Sequence, residues 1–210
     1  MRILRVAIAM AVAVLAVPLA AQTPEGGVTA DGWEARLDRG DDATSVLNFQ
    51  SMGSGVHATT AGAGAATFWQ AGSMAEGTYT ISASFRQVEP SGHPNAYGLV
   101  FGGSDLSGPD PQYSYFVVRQ GGEFLIMNRE GSETPEIVAW TAHSAINGLD
   151  DDGRALNTLS VEVGSDQVRF LVNGTEVSSQ PKSALHTDGI TGVRVNHQLN
   201  VHIDDLDLGG

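Results

Sequence analysis

The chain has 210 residues, 17% of them charged, and its 24 acidic residues outnumber 11 basic ones to give a formal charge of −13. That balance disfavours nucleic acid and anionic membrane surfaces as partners, because phosphates would be repelled. There is no cysteine, which excludes a disulfide framework and thiolate metal sites and leaves stability to the core or to a bound hard cation.

Taken in order, the chain opens with Met1, Arg2 and Arg5 as a short basic start, followed by an unbroken apolar run over 6–17 and then Pro18, Leu19, Ala20 and Ala21. This is the pattern of a secretory signal peptide over 1–21, too short to serve as a membrane anchor with its own flanks. It predicts an exported chain, secreted or periplasmic in a bacterium and without membrane insertion, cleaved near Ala20 or Ala21. Without Arg2 and Arg5, 9 basic residues face 24 acidic ones and the charge becomes −15. Residues 22–30 read as a polar, flexible lead-in. Residues 31–210 read as one domain, long enough to bury a full core.

No segment of that domain has a helical period of useful length. Short β-rich runs punctuated by Gly, Asn, Asp and Pro predict strands at 33–38, 46–52, 56–60, 65–70, 79–87, 96–101 and 113–120. Further strands are expected at 123–130, 137–141, 158–163, 167–172, 175–178, 190–195 and 201–208. With no helix between them, sequential strands should pair antiparallel in a two-sheet sandwich or a barrel.

Two hairpins carry most of the local information. In RFLVNGTEV, Asn173-Gly174 suits a type I′ turn and pairs Val172 with Thr175 and Phe170 with Val177. Val168, Phe170, Val172 and Val177 then share the buried face. The turn also explains the glycosylation-like triplet Asn173-Gly174-Thr175. In YSYFVVRQGGEFLIMNREG, a two-residue turn at Gly121-Gly122 pairs Val118 with Leu125 and Phe116 with Met127. One face is then plain core, with Phe116, Val118, Leu125 and Met127. The other carries Tyr113, Tyr115, Val117, Arg119, Phe124, Ile126, Asn128 and Glu130, a mixture of rings and polar tips suited to a half-wet surface.

The series AYGLVFGG, YSYFVVRQGGEFLIMNREG, IVAWT, NTLSVEV, QVRFLVNGTEV, GITGVRV and VHIDDLDL resembles the concanavalin A-like lectin/glucanase superfamily, in its laminin-G-like jelly-roll form. Within it, the chain looks most like bacterial secreted domains grouped with 3-keto-disaccharide hydrolases. The resemblance covers roughly 33–208 and rests on turns that belong to the scaffold. It implies an all-β fold of two curved antiparallel sheets, with ligands held on the concave face or at loops on one rim.

Glycosidases of that superfamily place carboxylates two and four or five residues apart on one strand, and retaining hydrolysis needs two of them about 5 Å apart. The sequence has no Glu-x-Asp-x-Glu or Glu-x-Asp-x-x-Glu. Glu130, Glu133 and Glu136 are three apart, a spacing that does not align side chains in extended chain. No nucleophile elbow, His-Glu-x-x-His or phosphate loop is present. The six histidines are scattered, and His197 and His202 fall on opposite strand faces.

A calcium ion is the cofactor the sequence leaves room for. Asp150, Asp151 and Asp152 make a dense carboxylate turn, with Asp150 and Asp152 as candidate ligands, and Asp204, Asp205 and Asp207 lie near the end. The bland alternatives are a water-exposed turn and a bulged last strand. The loop 102–112 is long for a hairpin connection and could border the concave face. Trp33 and Trp140 alternate with apolar neighbours and fit the core, whereas Trp69 beside Phe68 is open.

These features predict a secreted, non-catalytic, lectin-like module that binds a carbohydrate or cell-surface glycan. Its contacts would be Tyr113, Tyr115, Arg119, Asn128 and Glu130, with rings stacking on sugar faces and polar tips fixing hydroxyls. Two alternatives stand beside it: a glycoside or 3-keto-disaccharide hydrolase, and a structural or adhesion domain without a small ligand.

Overall fold

A computed structural model of the chain describes residues 26–39, 47–61 and 64–210. The segment read as a signal peptide lies outside the described residues. The strands are β1 (Gly27–Val28), β2 (Trp33–Leu37), β3 (Leu47–Met52), β4 (Gly55–Thr60), β5 (Ala66–Ala75), β6 (Tyr79–Gln87), β7 (Ala96–Ser104) and β8 (Gln112–Arg119). They continue as β9 (Glu123–Glu130), β10 (Glu136–Ala142), β11 (Ala155–Val163), β12 (Gln167–Val172), β13 (Thr175–Pro181), β14 (Gly189–Val195) and β15 (Asn200–Gly209). One 3-10 turn at Lys182–Ala184 is the only helical piece among the described residues.

Every expected strand is present, and β1 is an addition. It lies inside the stretch expected to be a flexible lead-in, pairs parallel with β3 through Gly27 opposite Asn48, and brings in Ala30 as a buried residue. The other pairings are antiparallel. They build an eight-stranded sheet in the order β1-β3-β4-β15-β6-β11-β12-β13 and a seven-stranded sheet in the order β10-β9-β8-β7-β14-β5-β2. The two-sheet antiparallel sandwich expected from the sequence is therefore the fold.

The sheets meet across an aromatic filling. Phe49 stacks on Phe68 with centroids 4.2 Å apart, Phe85 lies 5.4 Å from Tyr97, and Phe116 meets Phe170 edge-on at 5.2 Å. Strands of the eight-stranded sheet are one-sided, as in β11, where Ala155, Leu159, Val161 and Val163 are buried between half-buried or exposed neighbours. In the seven-stranded sheet, β7 is buried along both faces from Ala96 to Gly103. Its outer face carries a second apolar cluster of Trp69, Ala96, Val100, Leu106, Tyr113, Tyr115, Val117 and Leu125.

The loop after β7 covers that cluster. Leu106 inserts into it, Arg36 Nη1 donates to the Leu106 and Gly108 carbonyls at 2.8 and 3.0 Å, and Ser107 Oγ donates to Glu34 at 3.1 Å. The long 102–112 connection thus closes over the sheet instead of bordering an open hollow.

Both hairpins depart from the expected pairing. At Asn173-Gly174, with φ of 51° and 78°, Val172 pairs with Thr175 as expected, but a bulge after Phe170 sets Phe170 opposite Ser178 instead of Val177. The other hairpin closes on three residues, because the Gly122 N–H donates to the Arg119 carbonyl at 2.9 Å with Gly122 at φ 82°. Arg119 consequently pairs with Glu123, Val118 with Phe124 and Phe116 with Ile126. A slip of one residue moves a whole strand face to the other side. Phe124 and Ile126 join the main core, and Leu125 and Met127 turn outward, the reverse of the expected faces.

Close backbone approach makes Gly98 a sensitive position in β7. A Cβ there would lie 2.1 Å from the Phe116 carbonyl oxygen, so one of two central strands would have to shift. Gly98→Ala is expected to destabilise the fold by about 2–3 kcal/mol. The readout is a lower urea midpoint at an unchanged m-value.

Candidate functional site

The outer face of the seven-stranded sheet is organised around Arg194. Its neighbours in β14, Val193 and Val195, fill the core, so alternation sends Arg194 outward, where it is only 5% exposed. Arg194 Nη1 donates to Asp38 Oδ1 at 3.1 Å, to Thr67 Oγ1 at 3.2 Å and to the Tyr113 hydroxyl at 3.2 Å. Its Nη2 pairs with Asp38 Oδ2, and its guanidinium lies 4.6 Å over the Tyr115 ring. Arg129 approaches the same carboxylate at 3.9 Å.

Burial alone would raise the Asp38 carboxyl, but Arg194, then Arg129 and Arg36, hold it below the usual carboxylate range. Burial raises the Tyr115 hydroxyl, against the Arg194 charge. A paired and hydrogen-bonded network under a loop has the character of a structural clasp.

This arrangement corrects the expected contact set. Tyr113 is fully buried, with its hydroxyl in the Arg194 network, and Tyr115 is buried with its hydroxyl 3.1 Å from Met127 Sδ. A ring with one polar tip can be sealed in once that tip finds a partner. Asn128 and Glu130 lie on the opposite face, because the register slip carries them there with Phe124 and Ile126. Asn128 accepts from Ser114 Oγ at 2.7 Å and donates to the Ala184 carbonyl at 3.1 Å. Glu130 is half exposed and 3.6 Å from His186 Nε2. Tyr113, Tyr115 and Arg119 do share a face, but of these three only Arg119 reaches solvent.

Arg119 has company that alternation hid. The pairing of β10 with β9 steps from Val138–Ile126 to Thr141–Phe124, so Ala139 and Trp140 together face one residue, Leu125. That bulge breaks the alternation with Val138 and turns Trp140 away from the core expected for it. Trp140 is 36% exposed, and the Arg119 guanidinium lies 4.1 Å over its ring. Arg119 Nε and Nη2 both reach Glu123 Oε2 at 2.7 Å. The hydrogen bond from Arg119 holds the Glu123 carboxyl below its ordinary range. Arg119 Nη1 and Glu123 Oε1 have no protein partner among the described residues.

Arg119 covers one face of the indole, and the exposed remainder of that ring, with an ionised carboxylate close by, can pack on the C–H face of a sugar ring and hydrogen-bond its hydroxyls. Trp33 is half-buried, tilted 5.0 Å from Phe49, and Trp69 belongs to the second cluster.

The carboxylate turn is explained locally. Asp150 Oδ1 accepts from the N–H groups of Asp152 and Arg154, each at 2.9 Å, which closes the turn on itself. Among the described residues, no three His, Asp or Glu side chains are grouped closely enough to hold a metal ion.

No family model matches the chain, and no curated protein matches it. Solved structures do. A carbohydrate-binding module, CBM66, from Bacillus subtilis has a TM-score of 0.62 at 13% identity, covering 87% of this chain and 98% of that one. A Bacillus subtilis protein of unknown function with a galectin-like fold has a TM-score of 0.60 at 12% identity, over 84% and 88% of the two chains. The carbohydrate recognition domain of Emp46p reaches 0.54 at 12% identity, over 85% and 88%. At such identities the likeness is one of fold alone, a two-sheet antiparallel β-sandwich of the kind found in that carbohydrate-binding module and in the galectin-like protein.

Proposed function

From that shared sandwich fold, we propose that the chain is an exported, non-catalytic carbohydrate-binding module whose contacts centre on Trp140, Arg119 and Glu123. The observation that carries this reading is the exposed indole with an arginine–glutamate pair beside it on the sheet's outer face. The ring supplies flat apolar area, the guanidinium N–H groups donate to hydroxyls, and the carboxylate accepts from them. The sealed centre beneath the 105–111 loop then serves to keep the ribbon rigid. The signal-like start at 1–21 supports a secreted or periplasmic setting, where such a module would meet polysaccharide or cell-surface glycan.

A glycan array followed by calorimetry on the best ligand tests this. Binding is expected for the wild type, with Glu123→Gln about five- to tenfold weaker, as for loss of one charged hydrogen bond. Arg119 holds Glu123 below its ordinary value of 4.5, so affinity should persist as pH falls to about 4.5 and fail only below it. Uniform silence across neutral and acidic glycans would remove the proposal.

A further inference from the structure

The scattered histidines come together across the fold, and one pair has the geometry of a metal clip. His93 lies in the 88–95 connection between β6 and β7, and His197 in the 196–199 connection between β14 and β15. Their Nε2 atoms are 3.1 Å apart, with ring centroids at 4.9 Å. Imidazole nitrogens bind zinc-like cations at about 2.0–2.1 Å. An ion at that distance from both nitrogens would subtend an angle of about 98°, between the square-planar and tetrahedral values, with no movement of either ring.

Both loops are held in place. Ser91 N–H donates to Gln120 Oε1 at 3.0 Å, and Asn95 Nδ2 donates to Ser91 Oγ at 3.0 Å. Across from them, Thr60 Oγ1 donates to the Asn196 carbonyl at 2.5 Å and accepts from the Leu199 N–H at 3.0 Å. Gln198, directly after His197, turns the chain tightly at φ 54°. Little ordering remains to be done on binding, which is where flexible surface histidines lose affinity. His93 is exposed and His197 partly so, and the chain's net charge of −13 draws cations to it.

We propose that His93 and His197 form a two-histidine site for a late first-row divalent cation, Cu²⁺ or Zn²⁺, whose remaining positions are filled by water. The site would tie the two loops together independently of any glycan. Neither ring belongs to the Trp140 site, so this proposal and the glycan reading can fail separately.

The test is calorimetric titration of the tag-free chain with Cu²⁺ and with Zn²⁺, joined to Cu²⁺ electron paramagnetic resonance. One equivalent is expected, with two imidazole nitrogens in the equatorial plane. His93→Ala and His197→Ala should each weaken binding at least tenfold, and the double variant should abolish it. Circular dichroism of His93→Ala, an exposed loop change, checks that the fold persists. No binding at about 100 µM metal would overturn the site and leave the pair as two rings sharing one hydrogen bond. Retained binding in His93→Ala with loss in His57→Ala would also overturn it, assigning the metal to His57 and His202, which pair across β4 and β15 with ring centroids 5.8 Å apart.

Discussion

Asp38→Ala is expected to remove about 3–5 kcal/mol of folding stability, a large part of what a domain of this size possesses. The cost does not lie in Asp38 itself, which is partly exposed, but in what it leaves behind. Arg194 is 5% exposed and keeps only neutral partners, hydrogen bonds to Thr67 and Tyr113 and the Tyr115 ring face, once the carboxylate is gone. Arg129 and Arg36, whose charges Asp38 also faces, would then stand near an uncompensated cation. For a domain of this size the loss corresponds to a fall in Tm of about 6–20 °C.

The pH dependence follows from linkage. Asp38 titrates lower when folded than its ordinary value of 3.8, so its contribution is complete above that value and is lost as pH falls through the folded one. Wild type and Asp38→Ala should therefore converge in stability in strong acid. Urea unfolding at pH 7 and in acid measures both effects. A variant within about 1 kcal/mol of wild type at pH 7 would show that water reaches Arg194 and that the clasp is not sealed.

Trp140→Ala is expected to weaken glycan binding at least thirtyfold, the loss of about 2 kcal/mol that marks an aromatic anchor at a binding surface. Stability should barely move, because Trp140 is 36% exposed on edge strand β10 and gives up little beyond the stacked Arg119. Trp140→Phe keeps a flat ring and should recover part of the affinity. Intrinsic fluorescence offers a second readout. Trp69 is sealed in the second cluster and Trp33 leans on the core, so a ligand-dependent change in emission reports chiefly on Trp140. Full affinity in Trp140→Ala would place the glycan elsewhere on the molecule.

The face that carries these effects was only half legible beforehand. Tyr113, Tyr115 and Arg119 share a face because alternation along one strand depends on nothing beyond that strand. Asn128 and Glu130 were placed with them by an assumed two-residue turn, and a three-residue turn differs from it by one hydrogen bond, from Gly122 to Arg119. Trp140 was hidden by a bulge in β10, which has no signature in IVAWT. The Arg194 clasp joins residues 156 apart, and His93 and His197 lie 104 apart, so no local pattern could announce either.

Strand after strand, the order of apolar and polar residues determined which segments extend and which side of most of them is buried, since period-two alternation and turn residues act over a few residues. Acidic composition likewise argues against phosphate-bearing partners, and absent cysteine excludes disulfide cross-links. The register across Gly122, the turning out of Trp140, the closing of a loop over Tyr113 and Tyr115, and the meeting of distant histidines were decided by the packed sandwich alone. Each depends on which strands lie side by side, and that follows from the free energy of the whole assembly instead of from any stretch of chain.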